Sequence, residues 1–129
     1  MIAHHFVGGG TRSDDLRAAG DAAAGMLAAV TAKVRAAGLN VVAEQSVPFP
    51  GGGATLVWVL AESHLVMHLW PEQDRATLDL HVCDYRASNA GKAERLRDSL
   101  DTLCFAPGSS DWRELAIAGG PSASRTSGA

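Results

Sequence analysis

The sequence predicts an α+β fold, a two-layer sandwich in which one antiparallel β-sheet carries its helices on a single face. Three observations predict it. Several short runs alternate apolar and polar residues, most cleanly Arg75 to Cys83, where Leu78, Leu80 and Val82 point one way and Asp79, His81 and Cys83 the other. Two longer stretches repeat their apolar residues at helical spacing instead. The strand-like runs are adjacent in the chain with the helices flanking them, the order of an antiparallel sheet covered on one side.

The elements follow in order. Ile2 to Val7 reads as a first strand, ended by Gly8-Gly9-Gly10. Ser13 is placed as a helix N-cap, with Asp14 and Asp15 in the first turn, where the helix dipole favours negative charge. Leu16, Ala19, Ala23, Met26, Leu27, Val30, Val34 and Ala37 then make one apolar helical face, with Gly38 as its stop and Gly20 and Gly25 as weak points inside it. Asn40 to Val47 reads as a strand before Pro48-Phe49-Pro50 and a Gly51-Gly52-Gly53 loop. Thr55 to Ala61, His64 to Trp70 and Arg75 to Cys83 are the next strands; Pro71 closes the second of these. Gly91 to Phe105 is helical in pattern, with Cys104 on its core side, and Trp112 to Ala118 is a last strand. A chain of 129 residues suits one domain with one core, here residues 1–118. The tail 119–129, GGPSASRTSGA, has the composition of a disordered segment.

Composition narrows the function. The net charge is −3 and no basic cluster is visible, which argues against nucleic acid as a partner. The N-terminus, MIAHHFVGGG, lacks the pattern of a signal peptide, and Ala22 to Val30 is too short and interrupted to span a bilayer, so no membrane is expected. Two cysteines, Cys83 and Cys104, fit a reduced cytoplasmic protein better than a disulfide scaffold.

The stretch AESHLVMHLWPE, residues 61–72, is where chemistry is expected, because a strand begins there with three polar residues and carries a second histidine. A metal is one reading. His64 and His68 have a spacing that suits a helix, but on a strand they lie roughly 13 Å apart, too far for one ion. His81 and Cys83 are about 7 Å apart by the same count, and His4-His5 has no partner spacing. No metal is therefore assigned. A serine hydrolase is another reading, but Ser63 lacks the flanking glycines of a nucleophile elbow. A third is that the Ser63 hydroxyl attacks the preceding peptide carbonyl and splits its own chain, with His68 nearby as a proton-transfer group. On an ideal strand Ser63 and His68 face opposite sides, so this reading expects a bulge, or a strand that starts only after Ser63.

Glu62-Ser63-His64, His68 and Trp70-Pro71-Glu72, followed by Asp79 and Cys83, resemble the signature of the small bacterial and archaeal S-adenosylmethionine decarboxylase proenzymes, of the form ESH-x3-H-x-WPE. The match is dense over residues 59–83. The resemblance implies self-cleavage at Glu62–Ser63 into a β chain, 1–62, and an α chain, 63–129, that begins with a pyruvoyl group made from Ser63. It implies that His68 assists processing, with support from the hydroxyl of Thr55. It implies that Cys83 protonates the substrate carbon after decarboxylation through a Schiff base, and that Phe49, Leu65 and Glu72 line the substrate site, Phe49 against adenine and Glu72 at the ribose. A small amino-acid-type substrate, an active site at a subunit junction and a homodimer of processed protomers also follow from it. So does independence of any cofactor beyond the pyruvoyl group, although one line of bacterial relatives uses magnesium.

The sequence departs from the family pattern at four places. Leu69 precedes the tryptophan. His81-Val82 and Asp84 flank the cysteine. Leu56 follows Thr55, and Gly8-Gly9-Gly10 stands near the N-terminus. These differences bear on substrate. Some members of the family decarboxylate arginine or ornithine, and the Asp84 carboxylate is a group that would pair with a guanidinium or ammonium. S-adenosylmethionine stays the default, with a basic amino acid or an inactive regulatory role as the alternatives.

Overall fold

A computed structural model describes residues 2–84 and 87–118. Its elements run β1 (Ile2–Thr11), α1 (Asp14–Ala18), α2 (Met26–Ala36), β2 (Val41–Pro48), β3 (Ala54–Leu60), β4 (Ser63–Trp70), a 3-10 turn (Pro71–Gln73), β5 (Arg75–Cys83), α3 (Ala90–Cys104) and β6 (Asp111–Ala118). The six strands form one sheet in the order β2-β3-β4-β5-β1-β6, every pairing antiparallel. The expected α+β sandwich is what is found. The expected tail, 119–129, lies outside the described residues.

The period-two patterns decide which face is covered. Leu56, Trp58, Leu65, Met67, Leu78 and Leu80 alternate inward and meet Leu16, Met26, Val30 and Val34 of the first two helices and Leu96 and Leu100 of α3. Cys104 is in this core, as expected, and burial pushes its thiol up to about 12. On the other face Val7, Val47, Val59 and Leu115 are 40%, 48%, 44% and 56% exposed, so among the described residues no helix or strand covers that face.

Two expectations needed correction. The first helix was expected to be continuous to Ala37, but it breaks between α1 and α2, where Gly20 takes a φ of 86° and Ala23 one of 47°. The Ser13 cap is as expected, with the Leu16 N–H donating to Ser13 Oγ at 3.1 Å. The first strand was expected to stop at the glycines, yet β1 runs through them to Thr11. A Cβ at Gly8 would lie 2.4 Å from the Trp112 ring, so the strand continues there because glycine leaves room for the indole. Among the described residues no helix is long and apolar enough to cross a membrane.

Candidate active site

β3 and β4 are joined by a two-residue turn, Ala61-Glu62, and Glu62 adopts a φ of 55°. A left-handed backbone at a residue with a side chain costs roughly 1–2 kcal/mol, so the peptide ahead of Ser63 is strained. Ser63 opens β4 and is 9% exposed. Its Oγ accepts the backbone N–H of Cys83 at 3.0 Å. The Cys83 thiol itself stands on the open face, half-buried. Its pKa is raised, first by burial and then by the carboxylates of Glu62 and Asp84, which keeps the proton on sulfur.

Beyond β5 the chain is tied back to this corner. Asp84 N donates to Ile2 O at 2.8 Å, and Asp84 Oδ1 accepts both His4 Nε2 at 2.9 Å and the Asn89 N–H at 2.8 Å. These donors, the Asn89 N–H foremost, hold the Asp84 carboxyl below its usual range. Asn89 Nδ2 donates to Cys83 O at 2.9 Å.

The other end of β4 is built from rings and a glycine loop. Thr55 Oγ1 and His68 Nδ1 share a hydrogen bond of 2.8 Å across β3 and β4, and the His68 ring lies 5.7 Å from Trp70. Phe49 sits in the adjacent β2–β3 loop, where Gly53 approaches so closely that a Cβ there would lie 2.5 Å from Leu69 O. Glu72 is exposed on the 3-10 turn. Asp74, also left-handed at φ 52°, closes that turn and takes hydrogen bonds from Arg12 and Arg17. Together they hold its carboxyl at about 2.

The residues singled out from sequence therefore fall into two groups. Glu62, Ser63, Cys83 and Asp84 meet at the turn end; Thr55, His68, Phe49 and Glu72 meet at the other. The two ends of β4 are roughly 23 Å apart at the rise of a strand. The expectation that a bulge or a late strand start would bring Ser63 to His68 needs correcting. β4 begins at Ser63 and pairs in unbroken register, so the two side chains lie on opposite faces about 16 Å apart. Leu65 also needs correcting, because its side chain is 0% exposed beneath the helices and offers no surface to a substrate. Truncating it would cost stability, about 2–5 kcal/mol, rather than affinity. The Asp84 carboxylate, expected to be free for a cationic substrate, is already engaged by His4 and Asn89.

Two features escaped the sequence reading. His5, His81 and His64 stand opposite one another on β1, β5 and β4, a single cross-strand row on the open face. Their ring centroids are 5.4 and 5.1 Å apart, and Asp79 Oδ1 accepts from His5 Nε2 at 2.8 Å with His64 Nε2 3.6 Å away. The signal was there as equal strand parity, but the pairing of β1 with β5 had to be known first. Asn89 is the second, and nothing in its sequence neighbourhood separates it from an ordinary helix cap. Among the described residues no three His, Cys, Asp or Glu side chains are placed to hold a metal ion together.

Residues 18–103 match the sequence model described as S-adenosylmethionine decarboxylase. The S-adenosylmethionine decarboxylase proenzyme of Pyrobaculum arsenaticum is 37% identical over 84 residues, 64% of this chain and 66% of that one. That of Symbiobacterium thermophilum is 40% identical over 63 residues, 49% of this chain and 48% of its own. The arginine decarboxylase proenzyme of Aeropyrum pernix is 41% identical over 56 residues, 42% of each chain. The matched stretches thus span 66% or less of the length of these relatives. The crystal structure of the adenosylmethionine decarboxylase from Aquifex aeolicus VF5 superposes with a TM-score of 0.72 at 25% identity, covering 88% of either chain.

Proposed function

This chain belongs to the S-adenosylmethionine decarboxylase family, and on that premise we propose that it is a self-processing, pyruvoyl-dependent decarboxylase of S-adenosylmethionine that works as a homodimer of cleaved protomers. The observation that carries the reading is the Glu62–Ser63 turn, a strained peptide followed by a serine whose oxygen is already held by a backbone donor. In the self-cleavage, Ser63 Oγ adds to the Glu62 carbonyl carbon, the peptide C–N bond breaks, and the hydroxyl proton passes to the departing amine, leaving an ester. The Cys83 N–H stabilises negative charge on Oγ as that proton leaves. Removal of the Ser63 α-proton then expels the Glu62 carboxylate. The dehydroalanine left behind takes up water and releases ammonia, which places a pyruvoyl group at the head of β4.

The residues around that position fit such a group, because the serine that would give rise to it is the first residue of a paired strand and is tied to the strand bearing Cys83. Once formed, the group supplies an electron sink for the carbanion of decarboxylation. Cys83 returns a proton to the carbon that loses carbon dioxide, a role that suits a thiol kept protonated by burial and two carboxylates. Phe49 stacks on the adenine and Glu72 binds the ribose hydroxyls. Because these groups stand beside the far end of β4, where Thr55 and His68 are paired on the open face, we infer that a second copy packs face to face and antiparallel. That arrangement brings Thr55, His68, Phe49 and Glu72 of one protomer towards the Glu62–Ser63 turn and Cys83 of the other. The uncovered Val7, Val47, Val59 and Leu115 support it. The free thiols of Cys83 and Cys104 support a reducing, cytoplasmic setting.

Engagement of Asp84 within the protein favours S-adenosylmethionine over a guanidinium substrate. The likeness to an arginine decarboxylase proenzyme keeps arginine as the second reading. Intact-mass spectrometry of purified protein, followed by borohydride trapping with labelled S-adenosylmethionine, arginine or ornithine, tests both. Two fragments split at Ser63 and an adduct with S-adenosylmethionine alone are expected. An adduct with arginine or ornithine alone replaces the substrate, and a single uncleaved species refutes the enzyme and leaves a regulatory paralogue.

A further inference from the structure

We propose that Asn89 is a positioning residue for Cys83, fixing the direction of its side chain and, through it, the hydroxyl of Ser63. The inference rests on the proposed roles of those two residues, but its geometry stands apart from them. Cys83 is the last residue of β5, where a strand end would ordinarily be loose. Here the peptide on each side of its Cα is tied. The N–H ahead of it donates to Ser63 Oγ at 3.0 Å, and the carbonyl after it accepts Asn89 Nδ2 at 2.9 Å. With both peptide planes held, φ and ψ of Cys83 are held, and so is the Cα–Cβ direction that aims the thiol.

Asn89 gives up its ordinary work to do this. It stands at the N-cap of α3, where an asparagine side chain would accept a helix N–H, yet it makes no such bond and its φ of −106° and ψ of 13° are not those of a standard cap. Its own N–H is fastened to Asp84 Oδ1, which His4 Nε2 also reaches, so the amide is presented to Cys83 from an Asn89 backbone that is itself anchored. The arrangement has a second consequence. Self-cleavage carries Oγ away with Glu62, so the Cys83 N–H loses its acceptor as the keto group forms in the same place. The Asn89 bond survives processing and, with the Asp84 N–H donated to Ile2 O on the same peptide, keeps the thiol aimed while the Ser63 tie is broken.

Asn89→Ser separates this role from helix capping, because serine caps as well as asparagine but cannot reach Cys83 O. Against the wild type, Asn89→Ser is expected to slow first-order self-cleavage, followed by gel electrophoresis, and to lower kcat by about tenfold or more with KM within about twofold. The alkaline limb of the kcat profile should also move to lower pH, because a thiol released from its half-buried position loses the burial that raises its pKa. Unaltered cleavage, kcat and pH profile in Asn89→Ser, beside a wild type that cleaves and turns over, would overturn the inference alone. A wild type that never cleaves takes down the proposed function and this inference together.

Discussion

The two ends of β4 are built by different means. At the turn end, hydrogen bonds do the work: Ser63, Cys83, Asp84, His4 and Asn89 are joined by four bonds of 2.8 to 3.0 Å. At the far end the fittings are rings and a loop: His68, Trp70 and Phe49, with Thr55 as the polar contact. On the proposed function, the first end would hold the reacting atoms in place, and the second would offer flat surfaces to a flat ligand. On the same proposal neither end is a complete site by itself, and the face-to-face second copy would join the two.

The largest expected effect breaks the turn end outright. Ser63→Ala removes the only atom that can attack the Glu62 carbonyl in this scheme, so cleavage should be abolished and the full-length mass retained. Normal processing of that variant would end the assignment of the scissile bond. Next in size is complementation between the ends. Cys83→Ala and His68→Ala homodimers are each expected to turn over poorly. If the ends of different protomers make one site, mixed dimers of the two variants should recover activity to roughly a quarter of the wild-type level by subunit statistics, one intact site in each mixed dimer and half the dimers mixed. No recovery on mixing would place the whole site within one chain.

How much of this was legible differs between the ends. The alternation in Arg75 to Cys83 gave the strand and its faces correctly, because a half-buried antiparallel strand writes its burial directly into a period of two. Ser13 gave the start of the first helix for an equally local reason. The His5-His81-His64 row could not be read, since it depends on β1 crossing to pair with β5, a long-range choice that periodicity does not carry. The separation of Ser63 from His68 was visible as a parity conflict. Its resolution was not a local bulge but two sites on opposite ends of a straight strand.

The histidine row gives a smaller, pH-dependent test of the face between the two ends. His81 has a lowered pKa, first from burial and then from repulsion by His64 and His5, with Asp79 opposing. The folded chain therefore binds fewer protons at His81 than the unfolded chain does, and stability rises with pH. The loss sets in as pH falls through the ordinary histidine value of 6.5 and grows below it. Thermal melts from pH 5 to 8 should show this slope in the wild type and a shallower one in His81→Phe, which keeps a ring in the row without the proton. Equal slopes would mean that the row does not feel its own charge.

The smallest effect belongs to the brace under the far end. Asp74 accepts from Arg12 and Arg17 while holding a left-handed turn, and its carboxyl stays ionised down to about 2. A lowered pKa contributes stability in full above the unfolded value of 3.8, and loses it as pH falls towards 2. The group is exposed, so solvent screens the pairs and little change in melting temperature at neutral pH is expected from Asp74→Asn. What should change is the placement of the Pro71–Gln73 turn and of Glu72 upon it. KM for the substrate should then rise a few-fold while self-cleavage and kcat stay near wild type, since the turn end is untouched. A variant that instead slows cleavage would show that the two ends communicate within one chain.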